Sequence, residues 1–235
     1  MTILERIENT DWADVTENMH TKGYACISNI LSKEECDTLV AQYSATDIYR
    51  KNIILENHGY GRGEYKYYSY PLPGDVQILR ESVYPYIAPI ANSWMRVLGI
   101  DRQYPESLTE LTNLCHQHNQ LRPTPLILKY STGGYNALHQ DLYGEIFFPM
   151  QLVVFLNQPG EDYDGGEFVL VEQRPRMQSK AIVLNPQKGD VLLFTTNFRP
   201  VMGIKGYFRV NMKHGVSEVT AGSRHTLGVI FHDAT

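Results

Sequence analysis

Residues 126–141 read LILKYSTGGYNALHQD. The opening pentad alternates: Leu126, Leu128 and Tyr130 fall on one side of an extended chain, Ile127 and Lys129 on the other. STGG then supplies a turn, and a His-x-Asp follows it. The same alternation of strand and turn continues to the C-terminus. Strand-length runs occupy 151–156, 167–172, 180–184, 191–195, 207–212 and 226–231, divided by QPGEDYDGG, NPQKGD, MGIKG and TAGS. That spacing predicts a β-sandwich or barrel of antiparallel strands.

Upstream of residue 124 the pattern is mixed. Residues 24–30 alternate as a strand. Ser32 begins S-x-x-E with Glu35, a capping box, ahead of Cys36, Leu39, Val40 and Tyr43, which predicts a helix. In GYGRGEYKYYSY (59–70), Tyr65 and Tyr67 share one strand face, Lys66 and Tyr68 the other. Residues 76–98 have helical spacing, with Pro85 and Pro89 predicted to break or kink the helix. Residues 106–118 form a further helix. No linker or repeat interrupts the chain. We expect one domain over 1–235, with 1–123 mostly helical support and substrate-side elements around the β core of 124–235.

Of the 235 residues, 43% are hydrophobic and 20% charged, which excludes a disordered chain. No apolar run approaches the ~20 residues of a membrane span, and the N-terminus has no signal-peptide core. Three cysteines without a C-x-x-C argue against both a disulfide framework and a thiolate metal site. A reduced, cytoplasmic protein without a membrane partner is expected. The net charge of −5 does not advertise nucleic acid. Residues 174–213 differ, with eight basic residues against Asp190 alone. Either these are scattered solvated charges, or they form a basic rim facing an anionic ligand.

His139 and Asp141 are two apart, so in extended chain both project to one side and can share an ion. His214, just after a strand-like run, is the best third ligand. Two His and one carboxylate with open positions is the facial triad of non-haem Fe(II) oxygenases, although the same donors accept Mn, Co, Ni or Zn. Arg224, ten residues beyond His214, can start the next strand and point into the same barrel. A guanidinium there can grip a carboxylate bidentately, as an organic-diacid co-substrate requires.

With these residues the chain resembles the 2-oxoglutarate/Fe(II)-dependent dioxygenases. The stretch 129–141 is similar to the segment before the metal pair in AlkB-type alkylated-base dioxygenases, although Leu128 stands where those carry Asn. GGEF (165–168) and GDVLLF (189–194) resemble prolyl-hydroxylase-like members. HQDLYGE, GGEFVLVEQRPRMQS, HGVS and GVIFHDA resemble an uncharacterised bacterial family predicted to act on nucleic-acid bases, over almost the whole chain. The resemblance implies a double-stranded β-helix (jelly roll, cupin-like) with flanking helices. It implies Fe(II) on His139, Asp141 and His214, with 2-oxoglutarate and O2 as co-substrates. It further implies Arg224 on the far carboxylate, with Tyr130 as its partner. The implied reaction is hydroxylation of a C–H bond, including oxidative demethylation of a nucleic-acid base.

Other readings stand beside this one. The substrate is alternatively a small metabolite or a protein side chain. A cupin-like metal protein or an inactive binding module would not need Arg224. Arg224 as a structural ion-pair former and Tyr130 as a core aromatic are the bland alternatives. His225 and His232 read as structural, and His116 and His118 are rejected as a metal pair because helix neighbours two apart face different ways. The tyrosines of 60–70 either line a substrate pocket or pack a half-exposed sheet edge.

Overall fold

Period-two alternation sorts the C-terminal half between two sheets. The computed structural model describes residues 1–235. Its first half carries α1 (Ile3–Glu8), α2 (Trp12–Lys22), β1 (Tyr24–Ile27), α3 (Lys33–Ala41), β2 (Tyr49–Ile54), β3 (Gly61–Arg62), β4 (Glu64–Tyr68), α4 (Gly74–Val97) and α5 (Leu108–Gln117). The second half carries β5 (Leu126–Ser131), β6 (Tyr135–His139), β7 (Met150–Phe155), β8 (Tyr163–Gly165), β9 (Phe168–Gln173), β10 (Lys180–Leu184), β11 (Val191–Thr195), β12 (Phe198–Gly203), β13 (Gly206–Val216) and β14 (Val219–Ile230).

The major sheet has the order β1-β11-β7-β14-β5-β4-β2, with β8 added to β14. The minor sheet has the order β10-β9-β13-β6-β3, with β12 added to β13. From β5 onward the chain passes repeatedly between the sheets, and every strand pair is antiparallel. This is the expected jelly roll.

Every residue of β7 is buried, because the major sheet is covered on both faces. Leu152 and Val154 join Leu193, Leu227 and Val229 in the main core against the helices. Val153 and Phe155 point the other way, into the barrel, with Leu192 and Phe194. The main core also takes Leu79, Ile87 and Trp94 from α4, so the helical half and the sheet share one apolar interior. The Ser32 and Glu35 capping box forms as expected at the start of α3.

Two expectations need correction. Pro85 and Pro89 lie inside α4, which continues unbroken over 24 residues. Both prolines and Glu81 are exposed, so the carbonyls of Glu81 and Pro85 that lose an i+4 donor face solvent. The TAGS segment is not a turn: Thr220–Ser223 lie within β14, with an irregularity between Val219 and Ala221. The chain reverses earlier, at Ser217 and Glu218.

His225 and His232 are structural, as expected. His225 sits against Asn157, with its ring Nδ1 3.0 Å from Asn157 Oδ1. The Nδ1 of His232 accepts from the Phe148 N–H at 3.1 Å. Burial, reinforced by the Lys129 charge, pulls His225 down to about 4. Burial and the Arg80 charge pull His232 down to about 3. These rings stay neutral in the fold and take up protons near 6.5 once unfolded, so stability is lost as pH falls from about 6.5 toward 4. Urea unfolding of the metal-free protein is expected to give on the order of 2–4 kcal/mol less stability at pH 5 than at pH 7. Equal stability at the two pH values would contradict neutral buried imidazoles.

Candidate metal centre

Strand β6 ends at His139, and its neighbour β13 places His214 directly opposite. The pairing register slips between His214 and Val216, a bulge of the kind that re-aims a side chain. Gly215 permits it: a Cβ there would stand 2.6 Å from the Asn136 carbonyl oxygen of β6. Beyond β6 the side-chain amide of Gln140 donates to the carbonyls of Asn197 and Met212, at 3.0 and 2.7 Å. That clamp turns Asp141 inward beside the two imidazoles.

One ligand atom from each of His139, Asp141 and His214 lies within 4.8 Å of the other two. The Nε2 atoms of His139 and His214 stand 3.6 and 3.3 Å from the two Asp141 oxygens. The rings are 4.2 Å apart, tilted by 50°. His139 Nδ1 lies 2.7 Å from the Ala137 carbonyl oxygen, so that nitrogen carries the proton and Nε2 presents a lone pair. Phe168 stacks along the His214 ring and Phe194 tilts against it.

Burial penalises the Asp141 charge, yet His214, His139 and Gln151 together hold its carboxyl well below the usual carboxylate range. Burial and the neighbouring His139 lower His214. Metal binding requires an ionised carboxylate, and Asp141 is held in that form. The donor set therefore fits a divalent transition metal.

Arg224 lies on β14 opposite Tyr130 of β5, both on the barrel face of the major sheet. It is 1% exposed, and none of its three guanidinium nitrogens has a hydrogen-bond partner. The rings of Phe155, Tyr130 and Tyr163 stand 5.4–5.9 Å from the guanidinium carbon. A buried cation without an anion is costly. Gly166 makes room for it: at φ +63°, a Cβ there would meet the Arg224 Cδ at 2.9 Å. Tyr130 is fully buried, and its phenolic oxygen accepts from Asn136 at 3.1 Å. Burial, opposed by the Arg224 charge, pushes it up to about 12, so the O–H is retained for donation.

The triad, Arg224 and Tyr130 all line one cavity of about 460 Å³. A family model described as an oxygenase catalysing oxidative methylation of damaged DNA matches residues 63–234, which contain all five of these residues. The chain belongs to this oxygenase family. The oxygenase is 45% identical over 164 residues to two uncharacterized proteins of Mycobacterium tuberculosis, MT2286 and Rv2227. The match covers 70% of this chain and 70% of each relative.

Solved structures share the fold at low identity. A Pseudomonas putida prolyl-4-hydroxylase superposes with a TM-score of 0.55 at 13% identity, covering 95% of this chain and 100% of its own. A 2OG-Fe(II) family oxidoreductase from Burkholderia pseudomallei gives 0.58 at 14% identity, covering 97% and 94%. A Trichoplax adhaerens prolyl hydroxylase gives 0.57 at 15%, covering 97% and 91%.

Within the oxygenase, three expected features resolve cleanly. His116 and His118 separate to Asp233 and Glu145 and form no metal pair. Tyr65 and Tyr67 line the cavity while Tyr68 joins the main core, as their alternation predicted. None of the eight basic residues of 174–213 lines the cavity. Arg174 and Arg199 pair with Glu172, and Lys188 pairs with Asp37, whereas Arg176, Lys180, Lys205 and Arg209 are exposed. The basic segment thus does not ring the metal site.

Sequence reading missed Gln151, Tyr143 and Asn136. Gln151 had a signal: it is the one polar residue in the buried run MQLVVF, on the barrel parity. Tyr143 repeats the two-residue step from Asp141. No helix is long and apolar enough to cross a membrane.

Proposed function

We propose that this oxygenase is a 2-oxoglutarate- and Fe(II)-dependent dioxygenase that oxidises a C–H bond of a nucleic-acid base. The observation that carries the cofactor reading is Arg224, a buried guanidinium with every nitrogen free, in the same cavity as the His139/Asp141/His214 cluster. His139 and His214 would hold the iron through Nε2, and Asp141 through a carboxylate oxygen. Bound there, Fe(II) supplies the oxidation of a substrate C–H bond by dioxygen, coupled to conversion of the keto acid to succinate and carbon dioxide.

The chain's own residues do the rest. Arg224 grips the far carboxylate of 2-oxoglutarate in a fork geometry, and Tyr130 adds its O–H. Leu126, Leu128, Val153 and Ile230 give the cavity apolar walls that exclude water. Tyr60, half exposed, and Tyr65 offer ring faces against which a planar base can stack. Oxidation of an N-methyl carbon gives a hemiaminal that breaks down to the demethylated base and formaldehyde. Three unpaired cysteines suit a reducing cytoplasm. We read 1–235 as a single catalytic unit, because the helices and the major sheet share one core.

The substrate reading rests on the family description and is tested by succinate release. A methylated single-stranded oligonucleotide is expected to stimulate release with a KM that rises steeply with salt, because phosphate contacts release counterions. Stimulation by free methylated nucleosides or small acids alone would overturn the nucleic-acid reading and leave the cofactor chemistry standing.

A further inference from the structure

An aspartate carboxylate rotates easily about its last bond, because that torsion is broad and roughly two-fold. A metal ligand of this type needs its oxygens aimed before the ion arrives. In this cavity both Asp141 oxygens are already held by donors other than the histidines. The Tyr143 O–H donates to Oδ1 at 2.8 Å, and the Gln151 amide donates to Oδ2 at 2.9 Å. Tyr67 in turn donates its O–H to the Tyr143 oxygen at 3.2 Å. The Arg50 guanidinium lies 4.5 Å from the Tyr67 ring centroid.

Tyr143 is itself anchored. Gln120, completely buried, donates to the Tyr143 carbonyl at 3.1 Å and to the Ile146 carbonyl at 2.8 Å. Its own carbonyl oxygen accepts the Ile146 N–H at 2.7 Å. The loop after the His-x-Asp is thus pinned at its backbone. Gln151 is anchored by β7, with Phe194 as its register partner on β11.

We propose that Tyr143 and Gln151 are positioning residues that aim the Asp141 carboxylate at the metal, with Tyr67 holding Tyr143 in line. This rests on the reading of His139, Asp141 and His214 as metal ligands. Hydrogen bonds to a charged acceptor are the strong ones, and a chain of donors polarises each member. Loss of one such outer contact typically weakens metal affinity 10–100-fold.

The test is a titration of the metal-free full chain with Co(II), following the visible d–d bands, with no co-substrate or turnover involved. Tyr143→Phe and Gln151→Leu are each expected to weaken Co(II) binding by roughly 10–100-fold and to shift the bands. Tyr67→Phe, one step further out, is expected to have a smaller effect in the same direction. Thermal melts of the metal-free variants check that each one folds. Should Tyr143→Phe fail to fold, Gln151→Leu and Tyr67→Phe carry the same test. Wild-type affinity with unchanged bands in the folded variants would overturn the positioning role. A wild-type chain that binds no Co(II) would overturn the metal reading itself.

Discussion

Replacing Arg224 with Met is expected to abolish 2-oxoglutarate binding and, at the same time, to stabilise the ligand-free protein. The two effects have one cause. The guanidinium is buried, and all three of its nitrogens lack partners. In the ligand-free fold its desolvation cost is met only by the faces of Tyr130, Phe155 and Tyr163, with no anion and no hydrogen bond. Met has a similar length and no charge, so it fills the space beside Phe155 and Tyr163. Replacing buried charge with apolar volume commonly stabilises by about 1–4 kcal/mol. Truncating one partner of a buried charge pair costs a complex about 2–5 kcal/mol, roughly 30-fold to several thousandfold in affinity. Calorimetric titration of the Mn(II)-loaded variant should show 2-oxoglutarate binding lost with metal binding intact. Its metal-free melting temperature should rise. A fall in melting temperature would make Arg224 a structural residue instead.

Asp141→Ala is expected to do the opposite. It should remove metal binding, with more than a hundredfold loss of affinity, because the ligand itself matters more than the outer contacts that aim it. It should also leave the Tyr143 O–H without its acceptor, at a cost of about 1–3 kcal/mol, while the Gln151 amide keeps only its 3.3 Å contact with His214 Nε2. His214→Ala should lose the metal in the same way. Metal content after dialysis, read beside that of Arg224→Met, separates the roles. Retention of one metal per chain in Asp141→Ala would remove that carboxylate from the ligand set.

Much of this site was legible because strands have a period of two. That period predicted His139 and Asp141 on one side; Tyr130 as the partner of Arg224 came from the resemblance, and the β5–β14 register sets the two opposite each other. The period also sent Leu126 and Leu128 to the cavity and Tyr68 to the other face. An antiparallel sandwich or barrel followed from runs of strand length between turns, and the jelly roll from the family resemblance. What escaped notice depended on tertiary context. Pro200 sits inside β12, which is tolerated because β12 pairs on one side only, with β13. The prolines of α4 look like breaks until their exposed face is known. TAGS looks like a turn, yet its residues continue β14, where β8 pairs alongside. The basic segment was read by charge count, and only the fold shows that Glu172 and Asp37, both outside the segment, take three of its cations. Tyr143 repeats the two-residue step from Asp141, but its backbone is held by Gln120, far away in sequence.

The cofactor reading joins two halves of one cavity, a metal triad and a free guanidinium, and one measurement interrogates both. Iron-loaded protein is titrated with 2-oxoglutarate without oxygen while the visible spectrum is recorded. A saturable metal-to-keto-acid charge-transfer band is predicted, absent in Asp141→Ala and in Arg224→Met at the same keto-acid concentration. Iron bound to the wild-type chain with no such band at any concentration would contradict the account.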